Sequence, residues 1–350
     1  MKIRIRDLEV GDRLTANVFN NYGLHVMSSG TVTTKEDIDK LYRHKIDYVD
    51  IEMRENFEIQ HEADHSADKM LKIVQPKYDD AVSGMKLMFE QVTQEGKFEE
   101  SIVDQSFEPL LEHFEKERDV VSLLLSLTNN DDYTFQHCVQ VGMISYYIAK
   151  WIELSEQEAL LIGKAGYLHD IGKCQIDSAI LSKPGPLTEE EFSIIKNHTT
   201  LGHSIIRKSF PHIGEISLVA LQHHERLNGT GYPQGLTGGQ IHLMSKIVAI
   251  ADIYSAMISS RVYQKKRDLL VVLKELYRLS FSELEPAIVQ TFIQRMIPNF
   301  IGKRLIMKSG EVGRIIMTNP TDPFRPLIRI GDNFIDLSKE SKLEIETIYV

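Results

Sequence analysis

Imidazole and carboxylate side chains recur along the middle of this sequence in a pattern suited to metal-assisted hydrolysis. Two pairs are adjacent: His169-Asp170, within Leu168-His169-Asp170-Ile171-Gly172-Lys173, and His223-His224, followed by Glu225-Arg226. His137 precedes them, His198 lies between them, and Asp252 sits in the apolar run Ile247-Val248-Ala249-Ile250-Ala251-Asp252-Ile253. A carboxylate in such a run is buried on folding, and a buried carboxylate needs a cation. Mixed nitrogen and oxygen donors suit mid-series divalent metals such as Mn, Fe, Co or Zn, whereas an all-oxygen set would point to Mg or Ca. One ion cannot use all of these donors. Two can, if one Asp spans ions held about 3.5–4 Å apart, the spacing of two-metal hydrolases.

The coordination count closes for such a pair. Two six-coordinate ions offer about twelve positions. A bridging Asp170 fills two, the other donors one each and a bridging hydroxide two, which leaves about one open position per ion for a phosphate. The net charge of that centre, about +1, attracts a phosphodiester and brings the pKa of bound water toward neutrality. Only five of the 13 histidines enter the set. His25, His44, His61, His65, His113, His203, His212 and His242 are read as ordinary residues; His203, for example, lies five positions beyond His198 and is turned about 140° around a helix.

The elements that must position these groups fall into five segments. Residues 1–53 alternate in strand fashion around Ile3, Ile5 and Leu8 and again at Tyr48-Val49-Asp50-Ile51, with one short helical pattern from Thr34 to His44: a small α+β module. Residues 54–66 are polar and read as a linker. Over 67–127 apolar residues recur at helical spacing, first Met70, Ile73, Val74, Met85, Leu87, Met88 and Val92. After a break at Gly96 come Phe98, Ile102, Phe107, Leu110, Leu111 and Phe114. This helical pair is too amphipathic to stand alone, so it packs on the next domain or on a second copy of the chain. Residues 128–297 carry helical periods and almost all of the chemistry. Residues 298–350 switch to β-type patterning broken by Ser309-Gly310 and Asn319-Pro320, a small β-meander or barrel. The fold class expected is therefore multidomain and mainly α, with a small α+β module before and a small all-β module after the helical domain.

Composition narrows the partners. The 350 residues are 42% hydrophobic and 26% charged, an ordinary globular balance. A formal net charge of -10, with no local stripe of Lys and Arg, argues against a nucleic-acid partner. Two cysteines, Cys138 and Cys174, make no disulfide framework. The first residues alternate charge with aliphatics as a strand does, and the most apolar windows, Leu123–Leu127 and Ile247–Ile253, are far shorter than the ~20 residues of a membrane span. A cytoplasmic protein without a membrane partner is expected.

From about Asn130 to Lys266 the chain resembles the HD-GYP family, a branch of the HD superfamily of metal-dependent phosphohydrolases. The resemblance rests on Asp132-Tyr133-Thr134 before His137, on His169-Asp170-Ile171-Gly172-Lys173, and on His198 with Gly202. It continues through His223-His224-Glu225-Arg226, then Asn228-Gly229-Thr230-Gly231-Tyr232-Pro233, and ends with Asp252 and Arg261. It implies an all-helical catalytic domain that hydrolyses cyclic di-GMP to pGpG, often onward to GMP, with two divalent ions, usually Fe or Mn. By that resemblance His137, His169, Asp170 and Asp252 hold one ion, and Asp170, His198, His223 and His224 the other. Asp170 and Lys173 serve catalysis, Lys173 at the scissile phosphate. Arg261, Gly231 and Tyr232 join Lys173 in binding substrate: small residues let the backbone approach the ligand, and Tyr232 closes one wall.

Departures are informative too. Tyr133 stands where some relatives carry a glutamate that recruits a third metal, which favours two. Ser255 replaces a second Asp, Val262 a proline, and Gln264 a basic residue. Two further readings keep the same pocket: a cyclic-dinucleotide receptor with little turnover, and an HD-type hydrolase of a mixed cyclic dinucleotide. The flanking modules read as scaffolding or sensory, and residues 67–127 as the surface of a possible homodimer.

Overall fold

Helix starts follow the capping boxes in the sequence. In a computed structural model, which describes residues 2–5, 8–19, 25–44, 46, 48–52, 63–115, 133–258, 269–319 and 321–349, Thr34, Ser155 and Thr188 each receive the backbone N–H three residues on. The acids at Asp37, Glu158 and Glu191 reach back to the capping residue's own N–H, so two otherwise unpaired donors are satisfied at each start.

The chain divides into two units, Met1–Asp64 and His65–Val350. In the first, β1 (Lys2–Arg4) pairs antiparallel with β4 (Tyr48–Asp50), and β2 (Val18–Phe19) with β3 (His25–Met27). Helix α1 (Lys35–Arg43) buries Leu41 into a core of its own, which includes Ile5, Leu14, Val49 and Ile51.

The second unit is mostly helical. Its elements are α2 (Ala63–Glu95), α3 (Glu100–Ser106), α4 (Glu108–Glu115), α5 (Tyr133–Trp151), α6 (Glu156–Leu168), a 3-10 turn at Ile171–Gln175 and α7 (Ser178–Leu181). Then come α8 (Glu189–Lys196), α9 (His198–Ser209), α10 (Gly214–Gln222), α11 (Leu243–Ile258), α12 (Leu269–Leu279) and α13 (Pro286–Met296). The apolar run expected to form one helix beyond Gly96 is two, α3 and α4, meeting at the buried Phe107. Pro109 explains the break: it lacks an N–H and fits only the first turn of a new helix. The apolar faces of α2, α3 and α4 are buried in the same core as α5 and α6.

Helix α5 is central: every residue from His137 to Ala149 is buried. It crosses α6 at close range because glycines face each other there. A Cβ on Gly142 would lie 2.9 Å from the Gly163 carbonyl oxygen, and one on Gly166 3.1 Å from the Gly142 Cα. The chain ends in a five-stranded antiparallel sheet of order β8-β7-β6-β5-β9, made of β5 (Arg304–Met307), β6 (Val312–Met317), β7 (Leu327–Ile330), β8 (Asn333–Asp336) and β9 (Ile345–Tyr349). Leu305, Ile315, Ile328 and Ile348 of this sheet belong to the main core. Among the described residues, no helix is long and apolar enough to cross a membrane.

Candidate metal centre

Three histidines of the cluster follow helix ends, and the local backbone sets their orientation. The last carbonyls of a helix lack intrahelical partners. His169 follows α6 and its Nδ1 lies 2.7 Å from the Gly166 carbonyl; His198 follows α8, with Nδ1 2.7 Å from the Ile195 carbonyl. His223 follows α10, with Nδ1 3.0 Å from the Ala220 carbonyl. A carbonyl only accepts, so each Nδ1 carries the proton and each Nε2 is left with a free lone pair, the arrangement in which histidine ligates metal. His137, within α5, reaches the same state differently. Its Nδ1 lies 3.0 Å from Ser255 Oγ, and that hydroxyl in turn donates to Gln140 Oε1, also at 3.0 Å.

The Nε2 atoms of these imidazoles converge on Asp170, which heads the 3-10 turn. Its Oδ1 is 3.3 Å from His198 Nε2 and 3.8 Å from His223 Nε2; its Oδ2 is 3.2 Å from His169 Nε2 and 4.0 Å from His137 Nε2. Asp252, on α11, faces Asp170 across the cluster. Its Oδ1 is 3.0 Å from His137 Nε2 and 3.9 Å from His169 Nε2, and its Oδ2 is 3.9 Å from His224 Nδ1. Among the described residues, two sets of donor atoms each lie within 4.8 Å of one another: His137, His169 and Asp170, and Asp170, His198, His223 and His224. Asp170 belongs to both.

Two atoms test whether this cluster suits a cation. His169 Nε2 and Asp170 Oδ1 are buried and make no hydrogen bond with any described residue. An unsatisfied buried group costs about 1–3 kcal/mol, more when charged, and a divalent ion bound between the two would satisfy both. The donor set fits a mid-series divalent metal.

The protonation states of four imidazoles agree. Burial pushes the imidazoles of His137, His198 and His223 down, and His224 down to about 3, so these four are neutral donors. Burial also opposes charge on His169, but the Asp170 carboxylate outweighs it and raises that pKa. For Asp170, burial pushes the carboxyl up, yet His169 and Lys173 reverse this and hold it well below the usual carboxylate range. Asp252 is held down by His137 against the same burial. Lys173 donates to Asp170 Oδ2, and the two carboxylates, Asp170 foremost, overcome burial to keep its ammonium charged.

Close backbone packing fixes the turn and the loop beside the cluster. A Cβ on Gly172 would sit 2.0 Å from the His198 carbonyl oxygen, so only glycine lets the 3-10 turn lie on the start of α9. A Cβ on Gly231 would sit 2.4 Å from the Glu225 Cα, which brings the glycine loop against the segment just past His224. The Tyr232 N–H donates to the His224 carbonyl at 3.2 Å, and its ring stacks on the His224 imidazole with centroids 4.6 Å apart. The loop is also tied to Glu225, a buried carboxylate accepting from the N–H groups of Gln234 (2.7 Å) and Leu236 (2.9 Å). A cleft of about 280 Å³ opens beside the cluster, lined by Thr134, His137, Lys173, His224, Arg226, Asp252, Ile253, Ala256 and Met257.

The sequence-derived donors His137, His169, Asp170, His198, His223, His224 and Asp252 are thus brought together, with Lys173, Gly231 and Tyr232 at their edge. Arg261 lies outside the described residues. His203 turns away, its Nδ1 3.0 Å from the Ser217 carbonyl. Ser255, Glu225 and Arg226 were not singled out for a role by sequence reasoning. Ser255 carried a signal nonetheless, since it sits three residues after Asp252 and so shares a helix face with it.

Comparison with known proteins follows the same segment. A model of the HD domain family matches residues 119–287. The chain is 30% identical over 207 residues to a cyclic di-GMP phosphodiesterase of Pseudomonas aeruginosa, covering 59% of this chain and 50% of that protein. It is 40% identical over 178 residues to a cyclic di-GMP phosphodiesterase of Thermotoga maritima, covering 50% and 48% respectively. A 3′3′-cGAMP-specific phosphodiesterase of Vibrio cholerae is 37% identical over 132 residues, 38% of this chain and 28% of that protein. The chain spans about half the length of the curated cyclic di-GMP relatives it matches.

Proposed function

We propose that the protein is a metal-dependent phosphodiesterase of the HD-GYP branch of the HD superfamily that hydrolyses cyclic di-GMP to pGpG or on to GMP, a reading supported by the HD-domain match over residues 119–287. The reading rests on one observation above the others: two sets of donors share Asp170 and adjoin a cleft that Lys173 also lines. In this reading His137, His169, Asp170 and Asp252 hold one divalent ion, and Asp170, His198, His223 and His224 a second, Fe or Mn. When bound, such a pair supplies Lewis acidity to a phosphoryl oxygen and makes water a nucleophile near neutral pH.

The protein's own groups do the rest. The Nδ1 contacts to backbone carbonyls and to Ser255 hold the imidazoles in the ligating tautomer before any ion arrives. Lys173, kept protonated by the carboxylates, offsets charge that develops on the scissile phosphate. Tyr232 and Gly231 form one wall of the substrate site, and Arg261, which lies outside the described residues, is assigned to substrate binding by the family resemblance alone. The N-terminal unit and C-terminal sheet act as scaffold or sensor, residues 67–127 mediate a homodimer, and the protein works in the cytoplasm. Mass in solution at micromolar concentration tests the dimer, and a strict monomer would count against it.

Anaerobic purification, metal quantification and chromatography of cyclic di-GMP test the activity. Wild-type protein should carry about two ions per chain and consume the cyclic dinucleotide; the His169→Ala, Asp170→Ala double variant should do neither. Unchanged turnover in that variant would sink the proposal. The similarity to a 3′3′-cGAMP-specific enzyme favours one second reading, a preference for the mixed cyclic dinucleotide. The ratio of kcat/KM for the two substrates decides between them.

A further inference from the structure

We propose that Arg226 is a substrate-binding residue that takes the second, non-scissile phosphate of the cyclic dinucleotide, an inference that rests on the phosphodiesterase reading above. A cyclic dinucleotide carries two phosphodiesters. The metal centre and Lys173 account for one, and on a protein of net charge -10 the other needs its own local cation. Among the described residues lining the cleft, Lys173 and Arg226 are the positively charged ones, and Lys173 already donates to Asp170. Arg226 is committed differently.

Its Nη1 donates to the His223 carbonyl at 3.2 Å and to the Glu225 carbonyl at 2.9 Å. Carbonyl partners fix a guanidinium in place without cancelling its charge. Its Nε is 4.0 Å from Glu283 Oε2, too far for a hydrogen bond, and its Nη2 makes none with any described residue. The Nη2 end of a rigid, mostly buried fork is therefore uncommitted beside a cleft that also contains the metal donors, while the Nε end lies at the edge of an ion pair with Glu283: the side chain is only 16% exposed. A planar fork with free donors fits a phosphate's oxygens, whereas an ammonium offers only a point charge. The glycine loop sets the position, since a Cβ on Gly231 would come within 2.5 Å of the Arg226 backbone nitrogen. The loop that stacks Tyr232 on His224 thereby also seats Arg226.

The test compares a substrate with two phosphodiesters, cyclic di-GMP, with one that has a single phosphodiester, bis(p-nitrophenyl) phosphate, on the metal-loaded protein. Losing a charged hydrogen-bond pair should raise KM for cyclic di-GMP by about ten- to a hundredfold in Arg226→Ala, with kcat altered less than about threefold. The rise for the single phosphodiester should be at least about fivefold smaller, and Arg226→Lys, which keeps charge but not the fork, should fall between wild type and Arg226→Ala. Metal content per chain is measured on every variant. Equal losses on both substrates, an unaltered KM for cyclic di-GMP, or loss of metal from both variants would each overturn the assignment, the last by making Arg226 a structural tie. Wild-type protein that cleaves bis(p-nitrophenyl) phosphate but not cyclic di-GMP would instead bring down the phosphodiesterase reading, and this inference with it.

Discussion

At His169, His198 and His223 the imidazole is oriented by the carbonyl three residues back, an acceptor that every helix end leaves unpaired. His137 has no such end beside it and depends on a side chain, Ser255, whose hydroxyl accepts from Nδ1 and donates to Gln140. Removing that hydroxyl takes the acceptor from a buried imidazole N–H and one donor from the Gln140 amide oxygen. Ser255→Ala should therefore cost about 1–3 kcal/mol of stability and weaken metal retention about 10- to 100-fold, read by thermal unfolding and by metal content after dialysis against a chelator. Ser255→Asp, which restores an acceptor for Nδ1, should recover most of the metal. If Ser255→Ala keeps its metal as wild type does, the serine does not orient His137. The histidines and aspartates of the cluster stood out in the sequence as candidates, Asp252 by its apolar run and the others by their pairing and spacing. Ser255, Glu225 and Arg226 did not, because what each does depends on partners that only folding supplies: Glu225 takes amides from a loop that returns to it nine and eleven residues later.

Between residue and molecule, glycines decide how closely the elements that bear the donors can approach. The 3-10 turn carrying Asp170 and Lys173 lies on the first turn of α9, which starts at His198, and Gly172 is the point of contact. A Cβ there would meet a backbone oxygen at 2.0 Å, and a backbone cannot swing aside as a side-chain tip can. Overpacking of this kind costs about 1–3 kcal/mol, occasionally more. Gly172→Ala should lower the melting temperature and also part Asp170 from His198, so metal content should fall even in protein that remains folded by circular dichroism. A variant that melts lower but holds full metal would show that the turn moves as a rigid piece with α9. Sequence patterning identified the short helix that starts after Thr34, where cap and periodicity agree. It passed over the break between α3 and α4, because the apolar spacing runs on through Phe107 and only Pro109 marks the new start. Periodicity reports which face is buried, not where the backbone restarts.

Over the whole molecule, the two units differ in how their cores are built. The first encloses Ile5, Leu14, Leu41, Val49 and Ile51, and none of these belongs to the core that surrounds the metal donors. Among the described residues the C-terminal sheet shares the main core: Ile315, Ile345 and Ile348 pack with Leu270 of α12 and with Ile297 and Phe300 just past α13. Tyr277 of α12 also meets Phe324, in the connection between β6 and β7, with ring centroids 5.6 Å apart. Burying a large apolar side chain contributes about 1.5–3 kcal/mol, so removing several at once costs an amount comparable with the roughly 5–15 kcal/mol that keeps a domain folded. A chain beginning at His65 should therefore unfold in one transition, keep its metal, and melt within about 4 °C of the full chain, the shift that roughly 1 kcal/mol produces in a domain of this size. A chain ending at Phe300 should instead expose Leu270, Ile297 and Phe300, bind a hydrophobic dye and fail to retain metal. Should the chain ending at Phe300 melt cooperatively with metal in place, the sheet would be an appendage of the helical core and not part of it.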